Sequence, residues 1–129
     1  MPNRIVVPAA SQDGLNAHLA EHFGRAPYFA VVELNDNGEV ANVKTVANVP
    51  HSTGRMGQPH DVVLELQPNA IIAYGMGHRG ISSFQSVGIA VLRANANTVS
   101  EVIAAYKENF TVNGIEEYFT VSMLPVSPH

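Results

Sequence analysis

Residues 28–49 read Tyr-Phe-Ala-Val-Val-Glu-Leu-Asn-Asp-Asn-Gly-Glu-Val-Ala-Asn-Val-Lys-Thr-Val-Ala-Asn-Val. Two β-rich runs, Tyr28 to Leu34 and Glu39 to Val49, flank Asn35-Asp36-Asn37-Gly38. The Asn-Gly pair favours the positive φ angles of a tight hairpin turn, so the two runs are expected as antiparallel neighbours. Ahead of them, Arg4-Ile5-Val6-Val7-Pro8 is a short β-branched strand, and Ala9 to Gly14 carries the polar and Gly punctuation of a loop.

Downstream the pattern alternates between helix and strand. Pro59 to Gln67 predicts a short helix with Val62, Val63 and Leu66 on one face and Pro68 as its stop. Ala70 to Tyr74 has the apolar run of a buried strand. Gly80 to Val87 spaces Ile81, Phe84 and Val87 as one helical face and ends at Gly88, and Ile89 to Ala94 follows as the last core strand. Thr98-x-x-Glu101 forms a capping box at the head of a final helix, whose stripe is Val99, Val102, Ile103, Tyr106 and Phe110.

The order β-β-β-α-β-α-β-α sets a hairpin beside two right-handed crossovers. The expected fold is α/β, a mixed five-stranded sheet of order 3-2-1-4-5 with three helices, which is the ribonuclease H-like arrangement. One domain spans residues 1–110. Residues 111–129 form a C-terminal extension, in which Glu117 to Val121 could add an edge strand while Pro125 and Pro128 favour a loose end.

Composition narrows the function. The 129 residues suffice for one core, and 46% hydrophobic with 14% charged residues suits a globule. A net charge of −4, with only seven Lys and Arg, provides no general attraction to nucleic acid or anionic membranes. The apolar runs fall far short of the ~20 residues of a membrane span, and the N-terminus lacks a signal-peptide core, so a cytoplasmic location is expected. No cysteine is present. Disulfides, thiolate nucleophiles and thiolate-held clusters are thereby excluded within the chain, and any metal must take other ligands.

In the expected topology strands one, three, four and five run the same way, so their C-terminal loops emerge on one sheet edge, where strand two begins. That edge would gather Glu21-His22-Phe23-Gly24-Arg25, the loop His51 to His60 and the turn Gly75 to Gly80. The candidate metal ligands are therefore His22, His51, His60 and His78, and the candidate cofactor-binding residues are His22, Arg25, Arg55, Met56, Met76 and Arg79. Open α/β sheets bind ligands in this position. Imidazole and thioether suit iron, copper, nickel or zinc, and three arginines with few carboxylates nearby favour an anion. An anionic metal cluster answers both. Any one of these histidines, taken alone, is more often a solvated loop residue or a local hydrogen-bonding group than a ligand.

Other chemistries fit less well. Gly75-Met76-Gly77-His78-Arg79-Gly80 matches G-x-G-x-x-G, yet a dinucleotide fold carries that motif at its first strand with an acid about 20 residues on. Here it follows the fourth strand, and the next strand ends in Arg93-Ala94-Asn95. Two-metal nucleases need clustered carboxylates, and the first strand has none. No Ser-His-Asp arrangement follows from the spacing.

The segment Glu21-His22-Phe23-Gly24-Arg25-Ala26-Pro27-Tyr28-Phe29, the His-bearing loop after the third strand and the turn Gly75 to Gly80 together resemble the dinitrogenase iron-molybdenum cofactor biosynthesis domain. Gly88-Ile89-x-Val91 and Thr98-Val99-x-Glu101 extend the resemblance over roughly residues 4–110. It implies a ribonuclease H-like fold and a non-enzymatic carrier of an iron-sulfur or molybdenum-iron-sulfur cluster. His22 would be the leading ligand, with Arg25 beside it. The implied partners are the cluster and its donor and acceptor proteins, with no nucleic acid or membrane, the carrier being a monomer or weak homodimer. Two other readings remain: a protein-interaction or regulatory module, and a small-anion or nucleotide binder using the Gly75 to Gly80 turn.

Overall fold

The structure, a computed structural model, describes residues 3–48, 59–74, 76, 78–94 and 96–112; for 59, 60, 78 and 107–112 it describes the backbone alone. The strands are β1 (Asn3–Ala9), β2 (Tyr28–Leu34), β3 (Val40–Ala47), β4 (Ala70–Ala73) and β5 (Ala90–Arg93). The helices are α1 (Pro59–Leu66), α2 (His78–Ser86) and α3 (Val99–Val112), with short 3-10 turns at Gly14–Asn16 and Phe23–Arg25.

The hairpin forms as its turn chemistry dictates. Gly38 takes φ +83°, and the Asn35 side-chain oxygen accepts from the N–H groups of Asn37 (2.9 Å) and Glu39 (3.0 Å). One sheet results, in the order β3-β2-β1-β4-β5. β2 is antiparallel to both β1 and β3, whereas β1-β4 and β4-β5 are parallel. The mixed five-stranded sheet with three helices is thus as the sequence predicts.

Strand alternation divides the core into two layers. Ile5, Val7, Ala30, Val32, Ile72 and Leu92 face α3, which buries Val99, Val102, Ile103 and Tyr106 against them. Val6, Phe29, Val31, Ile71 and Val91 face α1 and α2, which contribute Val62, Val63, Ile81 and Phe84. Because β1, β2 and β4 are covered on both sides, their sequences are continuous apolar runs rather than alternating ones.

The helix ends have local causes. Glu101 and Thr98 close the capping box, the Thr98 N–H donating to the carboxylate (3.0 Å) and the Glu101 N–H to the threonine oxygen (3.2 Å). Arg4 donates from its guanidinium to the Leu66 carbonyl at the end of α1 and pairs with Glu33 at 2.6 Å. Gln67 then adopts φ +52°, and Pro68 prevents continuation. One expectation fails here. Val87 lies beyond the last residue of α2 and is 63% exposed, because Gly88 at φ +86° turns the chain into β5 before Val87 can reach the core. Phe110, Gly75, Gly77 and the extension beyond Val112, including Glu117 to Val121, fall where the structure describes no side chain or no residue.

Candidate functional site at the C-terminal sheet edge

The ladders decide which ends meet. Ala9 is paired with Tyr28, Tyr28 with Ala47, and Ala73 with Arg93. The exits of β1, β3, β4 and β5 and the entrance of β2 therefore share one edge. α1, α2 and α3 all begin there, each returning across the sheet to the next strand or to the far edge. Their first-turn N–H groups give this edge a partial positive potential.

The connection from β1 to β2 is more structured than the loop expected from its sequence. It first lies on the α3 side, where Leu15, Ala17 and Leu19 join that layer of the core. Isolated bridges pair Leu19 with Ala9 and His18 with Thr98. Backbone bonds from Ala10 N–H to the His18 carbonyl (2.8 Å), Leu19 N–H to Asn97 (2.9 Å) and Ala20 N–H to Pro8 (3.0 Å) hold the segment over the end of β1. The next residues pass to the other layer, where Ala20, Phe23 and Ala26 are buried with α1 and α2. No hydrophobic period marks this crossing, so sequence patterning missed it.

His22 follows the crossing and is the N-cap of the Phe23–Arg25 turn, with extended backbone (φ −122°, ψ 127°) and no side-chain capping bond. Its imidazole is exposed, as is the Arg25 guanidinium. Beneath them Phe23 is anchored by rings: Phe29 at 5.4 Å between centroids and Phe84 at 5.8 Å in an edge-on arrangement. Asn48 fastens the exit of β3 to the same segment. Its side-chain N–H donates to the Ala26 carbonyl (2.7 Å) and its backbone N–H to Pro27 (3.0 Å).

Across the edge, Tyr74 leaves β4 and donates its hydroxyl to the Ala96 carbonyl at 2.8 Å. Met76 is half-buried against the α1/α2 layer, and its sulfur lies 3.2 Å from where a Gly80 Cβ would sit, so glycine at 80 makes room for the thioether. Arg79, the second residue of α2, is exposed. The structure thus places His22, Arg25, Met76 and Arg79 on the α1/α2 side of one edge. The backbones of His60 and His78 begin α1 and α2 on that edge, but their side chains lie outside the described residues, as do His51, Arg55 and Met56 altogether.

Among the described residues no group of three His, Cys, Asp or Glu side chains is placed to hold a metal ion. No helix among the described residues is long and apolar enough to cross a membrane. Among the described residues the ionisable groups with resolved shifts are Glu33, Glu101 and Tyr106. Hydrogen bonds from Arg4 hold the Glu33 carboxyl below the ordinary carboxylate range. The Asn97 and Thr98 backbone N–H groups do the same for Glu101. Burial pushes the Tyr106 phenol up.

Relatives share this architecture. The chain is 32% identical over 97 residues to the uncharacterized protein MJ0580 of Methanocaldococcus jannaschii, which covers 72% of this chain and 80% of that protein. The crystal structure of PH0822 superposes with a TM-score of 0.71 at 30% identity, covering 82% of this chain and 90% of the other. The apo form of the orange protein from Desulfovibrio gigas has the same fold, with a TM-score of 0.65 at 21% identity over 83% of this chain and 88% of its own. Residues 3–109 match the family described as dinitrogenase iron-molybdenum cofactor, and the chain belongs to that family.

Proposed function

We propose that the chain is a cytoplasmic, non-enzymatic carrier that binds an iron-sulfur or molybdenum-iron-sulfur cluster at this edge and passes it from a donor to an acceptor protein. The family supports the cargo, and one observation carries the location. The exposed imidazole of His22 sits on a segment fixed by buried Phe23, at the edge where the strand exits and helix N-termini converge.

The donor set favours a preassembled cluster over a bare ion. A bare ion takes three or four protein ligands, which the described residues do not gather. A cluster brings its own inorganic sulfide and needs few protein contacts. With no cysteine in the chain, an imidazole supplies the direct bond and arginines meet the negative charge. His22 is the proposed ligand, Arg25 and Arg79 the charge partners, and Met76 a wall. His51, His60, His78, Arg55 and Met56 complete the proposed set by sequence position. The same reading takes the fold as ribonuclease H-like and the carrier as a monomer or weak homodimer.

The test is an anaerobic titration with an isolated molybdenum-iron-sulfur cluster, followed by absorbance. His22→Ala is expected to weaken binding by about tenfold, roughly 1.4 kcal/mol, because a preordered ligand loses little entropy on binding. Its melting temperature should match the wild type, since the imidazole is exposed. Equal affinity in both proteins would remove His22 from the site, and no binding by either would favour a protein-interaction module.

A further inference from the structure

Among the described residues four arginines are present, and they fall into two groups. Arg4, at the far edge, is engaged by Glu33 and by the end of α1. Arg25, Arg79 and Arg93 all lie at the C-terminal edge and are exposed, and none forms an ion pair with a described residue. The acids of the same edge and layer, Glu21 and Asp61, pair with none of them either.

Arg93 is the last residue of β5. Its position is specific. It is the ladder partner of Ala73, and the neighbouring Ala94 N–H donates to the Ala73 carbonyl at 2.8 Å. Val91 packs in the α1/α2 layer and Leu92 in the α3 layer, so alternation places Arg93 on the α1/α2 side. β4 ends at Ala73 and α2 begins at His78, so the turn that joins them starts beside Arg93. Arg93 therefore stands at the start of that turn and Arg79 at its end, with Arg25 across the edge.

We infer that Arg93 is an anion-contacting residue of this site, a third guanidinium beside Arg25 and Arg79, so that the negative charge of the occupant is met on this side in addition to the bond from His22. A lone guanidinium at a strand end is ordinarily solvated and contributes nothing. Two exposed guanidiniums at this turn and a third across the edge, none paired with a described acid, raise the local anion concentration and favour a cargo of high negative charge. This rests on the carrier reading for the identity of the cargo, but the site's preference for anions stands apart from it.

The experiment uses the whole protein and two probes, the isolated molybdenum-iron-sulfur cluster and metal-free inorganic tripolyphosphate. Affinities are measured from about 0.01 M to about 1 M salt, over which the Debye length shrinks from about 30 to about 3 Å. Arg93→Gln should bind the cluster about fivefold more weakly at low salt and like the wild type at high salt, while Arg93→Lys stays within about twofold of wild type. Tripolyphosphate should shift the side-chain N–H resonances of Arg93 and Arg79 in wild type. If tripolyphosphate does so but no cluster binds, the anion site stands and the cluster carrier falls. Wild-type affinity in Arg93→Gln at low salt would overturn the inference, as would a deficit that persists at high salt or an absence of response to both probes.

Discussion

Truncating Phe23 to alanine tests whether the core holds the site in place. The ring is 8% exposed and touches Phe29 and Phe84 at 5.4 and 5.8 Å. Removing a buried phenylalanine costs about 3–5 kcal/mol, and the rim position of Phe23 argues for the lower end, about 3 kcal/mol. An unfolding entropy of about 2.1 cal/mol/K per residue, over the 97 described residues, is about 0.20 kcal/mol/K, so the melting temperature should fall by roughly 15 °C. The assay is a thermal melt followed by far-ultraviolet circular dichroism, alongside the cluster titration at a temperature where the variant is fully folded. Because His22 directly precedes Phe23, affinity should also drop, by about the factor expected for His22→Ala, although the imidazole is still present. A melting temperature within about 4 °C of wild type would refute the anchoring role. A large thermal shift with unchanged affinity would show that His22 is ordered by something other than the ring beneath it.

Thr98→Ala opens the capping box of α3 and should cost about 1 kcal/mol in urea unfolding with an unchanged slope, whereas an unchanged midpoint would mean the cap contributes nothing. The acid limb of stability should depend on Arg4. Glu33 has its folded-state pKa lowered from 4.5, so its stabilisation is complete above that unfolded value and vanishes as pH falls through the lower folded value. Arg4→Met should therefore lose less stability than wild type between about pH 5 and pH 3, and parallel curves would contradict the pairing.

Much of the architecture was legible because it rests on local, periodic signals. Asn37-Gly38 set the hairpin, Thr98 and Glu101 the start of α3, and Gln67-Pro68 the end of α1; the strand order then followed from handedness. The path of residues 14–26 was not legible. It is held by single bridges and by backbone bonds to Pro8 and Asn97, which leave no pattern in side-chain type. Val87 shows the opposite failure, helical spacing without burial, because the helix ends one residue too soon. At the site, topology could bring His22 and the Gly75 to Gly80 turn to one edge. Arg93 needed the register of β4 against β5, which fixes its neighbour as Ala73.

The central position of β1 also bears on how the chain is made. Its antiparallel partner β2 follows within a few tens of residues, but its parallel partner is Ala70–Ile71, so the other side of β1 lacks that partner until β4 has been synthesised. During that interval a nascent three-stranded meander presents Ile5, Val6 and Val7 on an open backbone edge, apolar on both faces. Such an edge is a template for pairing with another nascent chain. The ladder between β1 and β4 is correspondingly non-local, and closing it costs more chain entropy than forming the hairpin.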